Sequence, residues 1–232
     1  MRLDKAAADL FVLSRTEARE AIKSGSVTVN GEICADPRAD VSTRDEIGME
    51  GKTATTAFIY LMMNKPAGVL SVSRDDRQQT VIDILPEQYK RKGLMSVGRL
   101  DKDTTGMLII TDDGAFAHRI TSPKSGVYKR YAVQYEGQTH ANAVGLFRLG
   151  VTLEDGSVCL PARIFLLPGG RAEVIIQEGK YHQIKRMFAA IGCTVTALSR
   201  MSTGLLNLDT ALKSGEVRPI SSEEIDLIFK EI

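Results

Sequence analysis

Cysteine and histidine are scarce in this chain of 232 residues, with three of each. They are Cys34, Cys159, Cys193, His118, His140 and His182. The cysteines are odd in number, lie far apart and show no C-x-x-C spacing, which argues against a disulfide framework and against a zinc site. No histidine has a carboxylate or a cysteine at ligand spacing. The sequence therefore predicts buried or idle thiols and no metal site.

Long apolar runs are also absent. No stretch approaches about 18 consecutive apolar residues, the length at which a membrane helix is suspected. The first ten residues, MRLDKAAADL, carry an acidic residue where a signal peptide would be apolar. We therefore expect a cytoplasmic protein that neither spans a membrane nor is exported.

An excess of positive charge is missing as well. The 30 Lys and Arg residues are offset by 29 Asp and Glu residues, which gives a formal net charge of +1. Indiscriminate binding to nucleic acid through bulk charge is thereby excluded, so any RNA binding must come from local clusters. Three clusters are present: Lys90, Arg91 and Lys92; Lys124, Lys129 and Arg130; Lys180, Lys185 and Arg186. Each is equally compatible with an ordinary solvated face.

What is present is the composition of an ordinary globular protein, 43% hydrophobic and 25% charged. The N-terminal pattern predicts a helix followed by a hairpin. Residues 14–17, SRTE, fit a capping box, and Ala18, Ala21 and Ile22 form an apolar helical stripe behind it. In VTVNGEI, Asn30-Gly31 supplies the two positive-φ residues of a type I′ turn. The segment therefore resembles a small independent unit.

Residues 51–57, GKTATTA, are small and polar, which is typical of a linker. We therefore predict one domain at 1–57, with its linker, and a second at 58–232. Strand-like runs in the second domain lie at 58–64, 68–72, 106–111, 129–136, 162–167, 172–178 and 194–198. Helical patterns lie around 113–121, 139–149, 183–191 and 222–231. Because β-α-β alternation is rare here, the pattern predicts an α+β domain with flanking helices on a mixed, mainly antiparallel sheet.

The segment at 97–106, VGRLDKDTTG, is the most unusual stretch of the chain. A loop rich in Gly, Asp and Thr precedes a strand of core composition, so its two acids and two bases are presented from a rigid support. Asp and Thr are also common in ordinary loops, because they bond to local backbone. Spacing alone leaves both interpretations open.

A second segment, 178–188, EGKYHQIKRMF, predicts an amphipathic helix. Ile184, Met187 and Phe188 fall on one stripe. Lys185 then lies on the flank of this stripe, where it can reach a neighbouring carboxylate, and Arg186 points away toward solvent or phosphate. A plain amphipathic helix is the alternative.

GRLDKDTTG resembles the signature of the pseudouridine synthases that modify ribosomal RNA, in which the Asp is essential. Three further segments agree in order: MMNKPAGVLSV (62–72), KRYAV (129–133) and EGKYHQIKRMF (178–188). RLDK (2–5), SRTEARE (14–20) and VTVNGE (27–32) resemble the RNA-binding domain named after ribosomal small-subunit protein four. The Tyr-His pair before Gln183 and SRMSTGLLNLD (199–209) are similar to the RsuA type, the small-subunit enzymes. The resemblance spans nearly the whole chain.

The resemblance implies isomerisation of a flipped-out uridine to pseudouridine, without cofactor or metal. Asp101 would be the nucleophile, adding to the ribose or the base or removing a ribose proton, Lys185 would orient it, and Tyr131 would hold the uracil. Asp103 would shape the loop. RNA-binding or pocket roles would fall to Arg99, Lys65, Lys180, Arg186, Leu198, Arg2, Lys5 and Arg15. The first 57 residues carry a net charge of −2, so we expect RNA binding there to be weak or restricted to one face.

The implied partner is ribosomal RNA, of the 16S type, either free or in a partly assembled small subunit, and we expect a monomer. Three alternatives remain at this stage. The same chemistry could act on 23S RNA, the chain could be a non-catalytic RNA-binding or ribosome-assembly factor, or it could be a glycoside hydrolase or nucleosidase. The last requires a second supported acid, which the sequence does not show.

Overall fold

The computed structural model describes residues 1–122 and 124–230. The helices are α1 (Leu3–Leu10), α2 (Arg15–Lys23), α3 (Gly114–Thr121), α4 (Ala143–Leu149), α5 (Gln183–Ala190) and α6 (Ser222–Ile228). The strands are β1 (Val27–Val29), β2 (Glu32–Ile33), β3 (Glu46–Met49), β4 (Lys52–Thr55), β5 (Tyr60–Lys65), β6 (Met95–Ser96), β7 (Thr105–Thr111), β8 (Lys129–Gly137), β9 (Arg163–Leu167), β10 (Arg171–Ile176), β11 (Cys193–Thr203), β12 (Leu206–Asn207) and β13 (Val217–Pro219).

The N-terminal unit consists of α1, α2 and an antiparallel sheet in the order β2-β1-β3-β4. The predicted capping box is present, since the Ser14 hydroxyl accepts from the Glu17 N–H and the Glu17 carboxylate accepts from the Ser14 N–H. Asn30 and Gly31 have φ values of 54° and 87°, so the predicted turn is also confirmed. The sequence analysis does not predict α1, because its N-cap residue, Arg2, makes no side-chain cap that a pattern could reveal.

The predicted linker at 51–57 is wrong for residues 52–55, which form β4. This strand pairs with β3 from Glu46↔Thr55 to Met49↔Lys52. Glu50 and Gly51, with φ values of 51° and 75°, form the turn between the two strands. Threonine favours strands, and an edge strand tolerates small polar residues, so the composition of a linker and of this edge are alike. The irregular connection is reduced to residues 56–59.

The larger sheet has nine strands in the order β13-β5-β7-β11-β8-β10-β9, with β12 beside β11 and β6 beside β7. All pairs are antiparallel except β7 with β11. The predicted α+β class with a mixed, mainly antiparallel sheet is therefore confirmed. At the parallel junction Gly106 has a φ of 96°, and a Cβ there would lie 2.3 Å from the Arg200 carbonyl oxygen. Only glycine allows the two central strands to approach this closely.

Some predicted boundaries are wrong. Residues 68–72 form no strand and make only a bridge from Leu70 to Thr80, because Gly68 turns the chain with a φ of 87°. The helix expected at 139–149 begins at Ala143. The helix expected at 222–231 ends at Ile228, and position 231 lies outside the described residues. The helices expected at 113–121 and 183–191 match α3 and α5 to within one residue at each end.

Three clusters of buried apolar residues form the core. Alternate residues of β5 and β7 supply two of them, since Met63 and Leu108 belong to one cluster and Met62 and Ile109 to the other. The larger sheet is therefore covered on both faces. The third cluster lies within the N-terminal unit and includes Leu3, Ile22 and Ile47. The unit thus has a core of its own.

The cluster Lys90, Arg91 and Lys92 joins the two units. The Arg91 guanidinium contacts the Asp112 carboxylate at 2.5 Å and donates to the carbonyl oxygens of Thr55 and Ala57. The Lys92 amide donates to the Asp9 carbonyl oxygen at 2.9 Å. The Lys92 side chain donates to the Leu13 carbonyl oxygen, and the Lys90 ammonium group donates to Glu87 Oε1 at 2.7 Å. All three basic side chains are therefore engaged with the protein itself.

Asp4 organises the helices of the N-terminal unit. Its carboxylate is fully buried and contacts the guanidinium groups of Arg2, Arg15 and Arg19 at 2.7 to 2.9 Å. Burial acts to raise the pKa of Asp4, but hydrogen bonds from the three arginines outweigh it and lower this pKa from 3.8 to about 2. Two of the predicted RNA-binding residues, Arg2 and Arg15, are thus neutralised in part by Asp4, although both side chains remain nearly half exposed.

We expect Asp4→Asn to destabilise the N-terminal unit by about 1–3 kcal/mol at neutral pH, because charge-assisted hydrogen bonds are lost. A carboxyl group with a lowered folded-state pKa stabilises the fold above its unfolded pKa. The contribution should therefore disappear as the pH falls from about 4 to about 2. Urea unfolding followed through the NMR signals of α1 at neutral and acidic pH measures this. Asp9→Asn, on the same helix, is the control; an equal loss in both variants would contradict the prediction.

Candidate active site

A buried lysine binds the backbone of the loop that carries Asp101. Lys65, at the end of β5, is fully buried, and its Nζ donates to the carbonyl oxygens of Pro66 (2.9 Å), Asp101 (3.3 Å), Lys102 (3.3 Å) and Thr104 (3.0 Å). Burial lowers the pKa of Lys65 to about 8, against the opposing charges of Asp103 and Asp101. The prediction that Lys65 binds RNA is wrong, because its ammonium group is enclosed by backbone. Its observed contacts fix the shape of the Asp101 loop.

The segment after Lys65 supports the same loop. The Ser71 hydroxyl donates to the Leu100 carbonyl oxygen at 3.0 Å and accepts from the Leu100 amide at 3.2 Å. The Gly68 amide donates to the Lys102 carbonyl oxygen at 2.7 Å. The motif at 62–72 is therefore a scaffold for the loop at 97–104, which explains why residues 68–72 are irregular.

The Asp101 carboxylate faces two nitrogen-bearing side chains. Lys185 Nζ lies 3.3 Å from Asp101 Oδ2, and His182 Nε2 lies 3.6 Å from Asp101 Oδ1. The Asp101 side chain keeps 27% of its surface exposed, so a substrate atom has access to it. Sequence and structure thus agree in bringing Lys185 to Asp101.

Lys185 makes its shorter contacts with a second carboxylate. Its Nζ donates to Asp103 Oδ1 and Oδ2 at 2.7 and 2.8 Å. Burial acts to lower the pKa of Lys185, but the hydrogen bond to Asp103 and the charges of Asp101 and Asp103 raise it above its ordinary value. The hydrogen bond from Lys185 in turn lowers the pKa of Asp103. The exposed Asp103 therefore fixes the position of Lys185, in addition to the predicted role in loop shape.

Helix α5 places Lys185 beside Asp101, whereas its neighbour Arg186 contacts a different carboxylate. Ile184, Met187 and Phe188 are buried, as the sequence pattern predicts. Arg186, predicted to point to solvent or phosphate, instead contacts Asp155 Oδ2 at 2.5 Å with only 28% of its side chain exposed. The prediction fails because the loop that carries Asp155 packs on this face of the helix. Helical periodicity gives no information on such a contact between distant segments.

Tyr131, Leu198 and Arg99 line the pocket in front of Asp101, which encloses about 80 Å³. Tyr131 projects from β8, and Leu198 from the neighbouring β11, with 7% and 8% of their surfaces exposed. Arg99 is exposed. Lys180 also lines the pocket, although its Nζ donates to the Val158 carbonyl oxygen. Four of the residues predicted from the sequence therefore surround Asp101.

The remaining predicted RNA-binding residues lie elsewhere. Arg2 and Arg15 border α1 and α2 beside Asp4, and Lys5 is exposed on α1. None of the three lines the Asp101 pocket. The structure therefore separates the predicted residues into an Asp101 group and an N-terminal group.

The sequence analysis missed His182 as a site residue. It has a φ of 49°, and its ring stacks on Tyr181 with centroids 3.8 Å apart and an interplanar angle of 19°. Tyr181 keeps 74% of its surface exposed. A single histidine has no ligand spacing to reveal it, and only the fold brings it to Asp101. His182 lines the pocket, and the exposed Tyr181 ring is stacked on it.

This arrangement suits a planar polar ring better than a metal ion. The described residues include no cluster of three His, Cys, Asp or Glu side chains that could hold a metal. A carboxylate, a lysine, a buried tyrosine ring and an apolar wall converge instead. Such a set can present a nucleophile to a ring that is held flat against Tyr131. Across residues 1–122 and 124–230, moreover, every helix is too short or too polar to cross a bilayer.

Comparison with known proteins supports the same conclusion. The family model for RNA pseudouridylate synthase matches residues 59–163, and the S4 domain model matches residues 1–47. YtzG of Bacillus subtilis, an uncharacterized RNA pseudouridine synthase, is 40% identical over 98% of both chains. Ribosomal small subunit pseudouridine synthase A of Haemophilus influenzae is 38% identical over 99% of this chain and 100% of that protein.

A solved structure agrees over the same length. The crystal structure of a pseudouridylate synthase matches with a TM-score of 0.69 and 37% identity, covering 98% of this chain and 99% of that one. The fold, the loop motif around Asp101 and the full-length relatives therefore converge. The chain belongs to the RNA pseudouridine synthase family and has an S4 domain at its N-terminus.

Proposed function

We propose that this protein converts one uridine of small-subunit ribosomal RNA to pseudouridine, with Asp101 as the nucleophile. The observation that carries the proposal is the Asp101 carboxylate, 3.3 Å from Lys185 and open to a pocket walled by Tyr131 and Leu198. Relatives named ribosomal small subunit pseudouridine synthase A, 38% identical over the full chain, favour the small-subunit substrate.

The reaction breaks the bond from ribose C1′ to uracil N1 and forms a bond from C1′ to C5. The C5 proton leaves, and N1 gains a proton, so the product is an isomer of the substrate. Asp101 attacks the ribose or the base, or removes a ribose proton, and Lys185 orients its carboxylate. Tyr131 holds the detached ring by stacking, and its hydroxyl takes up the C5 proton while it releases its own proton to solvent.

The target must leave its stack to reach Asp101, since the pocket lies below the protein surface. Arg99, exposed at the rim of the pocket, braces the flipped nucleotide. Tyr181 offers a second exposed ring, on which a neighbouring base stacks. All of these groups come from one chain, so the site is complete in a monomer. Ribosomal RNA as substrate implies action in the cytoplasm.

The N-terminal unit, residues 1–57, docks the enzyme on RNA. Its basic side chains Arg2, Lys5 and Arg15 share one region around α1 and α2. The match to the S4 domain model and the separate apolar core support this division of labour.

Loss of the carboxylate should abolish catalysis without abolishing binding. We expect Asp101→Asn to give no detectable pseudouridine and to change RNA affinity by no more than a few fold, because amide and carboxylate have the same shape. The test is site-mapped pseudouridine sequencing of ribosomal RNA from cells lacking the protein, rescued with wild type or with Asp101→Asn. A small-subunit site restored only by wild type fits the proposal. Loss of a site in 23S RNA would identify large-subunit RNA as the substrate. Normal turnover by the variant would exclude Asp101 as the nucleophile.

The two adjacent cations of α5 offer a matched comparison. Lys185→Met should reduce the rate constant for modification by on the order of 10²–10³, as removal of a charged group from a reacting centre does. Arg186→Met should reduce it less than about tenfold and should cost stability instead, because it breaks only the half-exposed contact with Asp155. Single-turnover kinetics and thermal melting separate the two effects. The reverse order of rates would show that Arg186 serves the site.

A truncated chain tests the division at residue 57. Residues 58–232 retain two of the three apolar clusters and lose the third as a whole, so we expect the fragment to fold and to bind RNA more weakly than the full chain. Circular dichroism and filter binding with a 16S transcript measure both properties. Aggregation of the fragment would instead show that the contacts of Arg91 with Thr55 and Ala57 are essential for the fold.

A further inference from the structure

A second cavity, of about 490 Å³, adjoins the Asp101 pocket. The two share Arg99, Tyr131 and Lys180 in their walls, so they are parts of one cleft. Ile109 and Ile120 supply apolar wall to the larger part, whereas Lys129 and Arg200 supply positive charge. Nothing in the proposed chemistry uses Lys129 or Arg200.

The sheet brings these two cations together beside Tyr131. Lys129 and Tyr131 are two residues apart on β8 and therefore lie on the same face. Arg200 of β11 is the register partner of Tyr131, and Thr203 is the partner of Lys129. The register shifts between Arg200 and Ser202, so the strand bulges where it carries the arginine. This placement is fixed by backbone pairing of two central strands.

Neither cation has an acidic partner. Arg200 keeps only 4% of its surface exposed, and its Nε donates to the Met107 carbonyl oxygen at 2.7 Å. Lys129 Nζ donates to the Val127 carbonyl oxygen at 3.1 Å. Across residues 1–122 and 124–230, no carboxylate forms an ion pair with either of them, in contrast to Arg130, which lies 4.0 Å from Glu173. The guanidinium Nη groups of Arg200 thus have no acidic group to neutralise them.

The acid that lines the cavity, Glu178, contacts groups other than Lys129 and Arg200. Glu178 accepts from the Leu160 amide and from Gln183 Nε2, both at 2.8 Å. Burial, with a further contribution from the charge of Arg200, lowers the pKa of Lys129 to about 8. Desolvated cations that no carboxylate of the described residues pairs with are unfavourable in the free protein, and an anion that contacts them removes this cost.

We propose that Lys129 and Arg200 form a phosphate subsite that binds an RNA backbone phosphate next to the uridine held by Tyr131. The inference rests on the proposed function and names a further contact of the same substrate. Lys129 lies about 7 Å along the strand from Tyr131, so one nucleotide reaches both. The fork of Arg200 suits phosphate oxygens, and Lys129 adds a point charge. The cavity volume of about 490 Å³ leaves room for the attached sugar beside the apolar wall.

Mononucleotides test the subsite without a known target sequence. Binding of uridine, uridine 5′-monophosphate and uridine 3′-monophosphate to the full chain is measured by calorimetry or NMR titration. We expect at least one monophosphate to bind wild type about tenfold more tightly than uridine, from charge-assisted hydrogen bonds. A gain with the 5′ or with the 3′ compound identifies the phosphate on that side of the target as the ligand.

Two variants of neighbouring residues locate the effect. Lys129→Met should remove most of the advantage of the monophosphate over uridine, whereas Arg130→Met, which loses a contact to Asn207 Oδ1 instead, should keep it. We also expect Lys129→Met to melt at or above the wild-type temperature, because a desolvated charge is removed. A variant that is no less stable and yet has lost phosphate preference is the signature of a binding residue.

Three outcomes overturn the subsite: no advantage of either monophosphate, equal loss in both variants, or no binding of either compound at millimolar concentration. These outcomes are distinct from failure of the proposed function. A protein that prefers phosphate through Lys129 but modifies no ribosomal RNA would refute the function alone. A protein that modifies its target while Lys129→Met keeps the wild-type preference would refute the subsite alone.

Discussion

The buried ammonium group of Lys65 is the interaction on which the site depends. Its Nζ donates to the carbonyl oxygens of Pro66, Asp101, Lys102 and Thr104, so the loop before β7 is fastened to β5 at three of its own residues. In the part of the chain that the structure describes, Lys65 bonds to carbonyl groups and to no carboxylate. Burial therefore makes its charged form costly, and its lowered pKa of about 8 reflects this. Because every contact is with backbone, the loop sequence is free to display Asp101 and Asp103 outward. Rigidity of the loop and freedom of its side chains follow from the same contact.

Charge in this molecule is organised locally. The net charge is only +1, yet Arg99, Lys129 and Arg200 line the cleft and Lys185 lies beside it. Within residues 1–122 and 124–230, Lys185 alone of these four contacts a carboxylate. The other basic residues with clear partners hold the fold: Arg91 fastens the two units and Arg186 fastens a loop to α5. Local positive potential in the cleft therefore comes from basic groups that contact carbonyl oxygens or solvent, and the bulk composition gives no sign of it.

Local chemistry made much of the fold predictable from the sequence. The capping box at Ser14 and the Asn30-Gly31 turn depend on neighbouring residues only, and they are confirmed. The failures involve distant partners. Nothing near Lys65 in sequence shows that residues 101–104 enclose it, and nothing near Arg186 shows that Asp155 meets it. Lys185 and Asp101 were paired by family resemblance, and the link from Lys185 to Asp103 and the approach of His182 appear only in three dimensions.

The parallel pairing of β7 with β11 has a consequence for the order of assembly during synthesis. The strand β11 ends at Thr203, almost one hundred residues after the strand it must join at Gly106, so the central sheet closes only when most of the chain has left the ribosome. The core of the N-terminal unit needs nothing beyond residue 54 and can fold long before that. Pairing of such distant segments is also slow, because a large loop must close first. The nascent protein therefore acquires its S4 domain before the pairing that places the Asp101 loop beside β11 is complete.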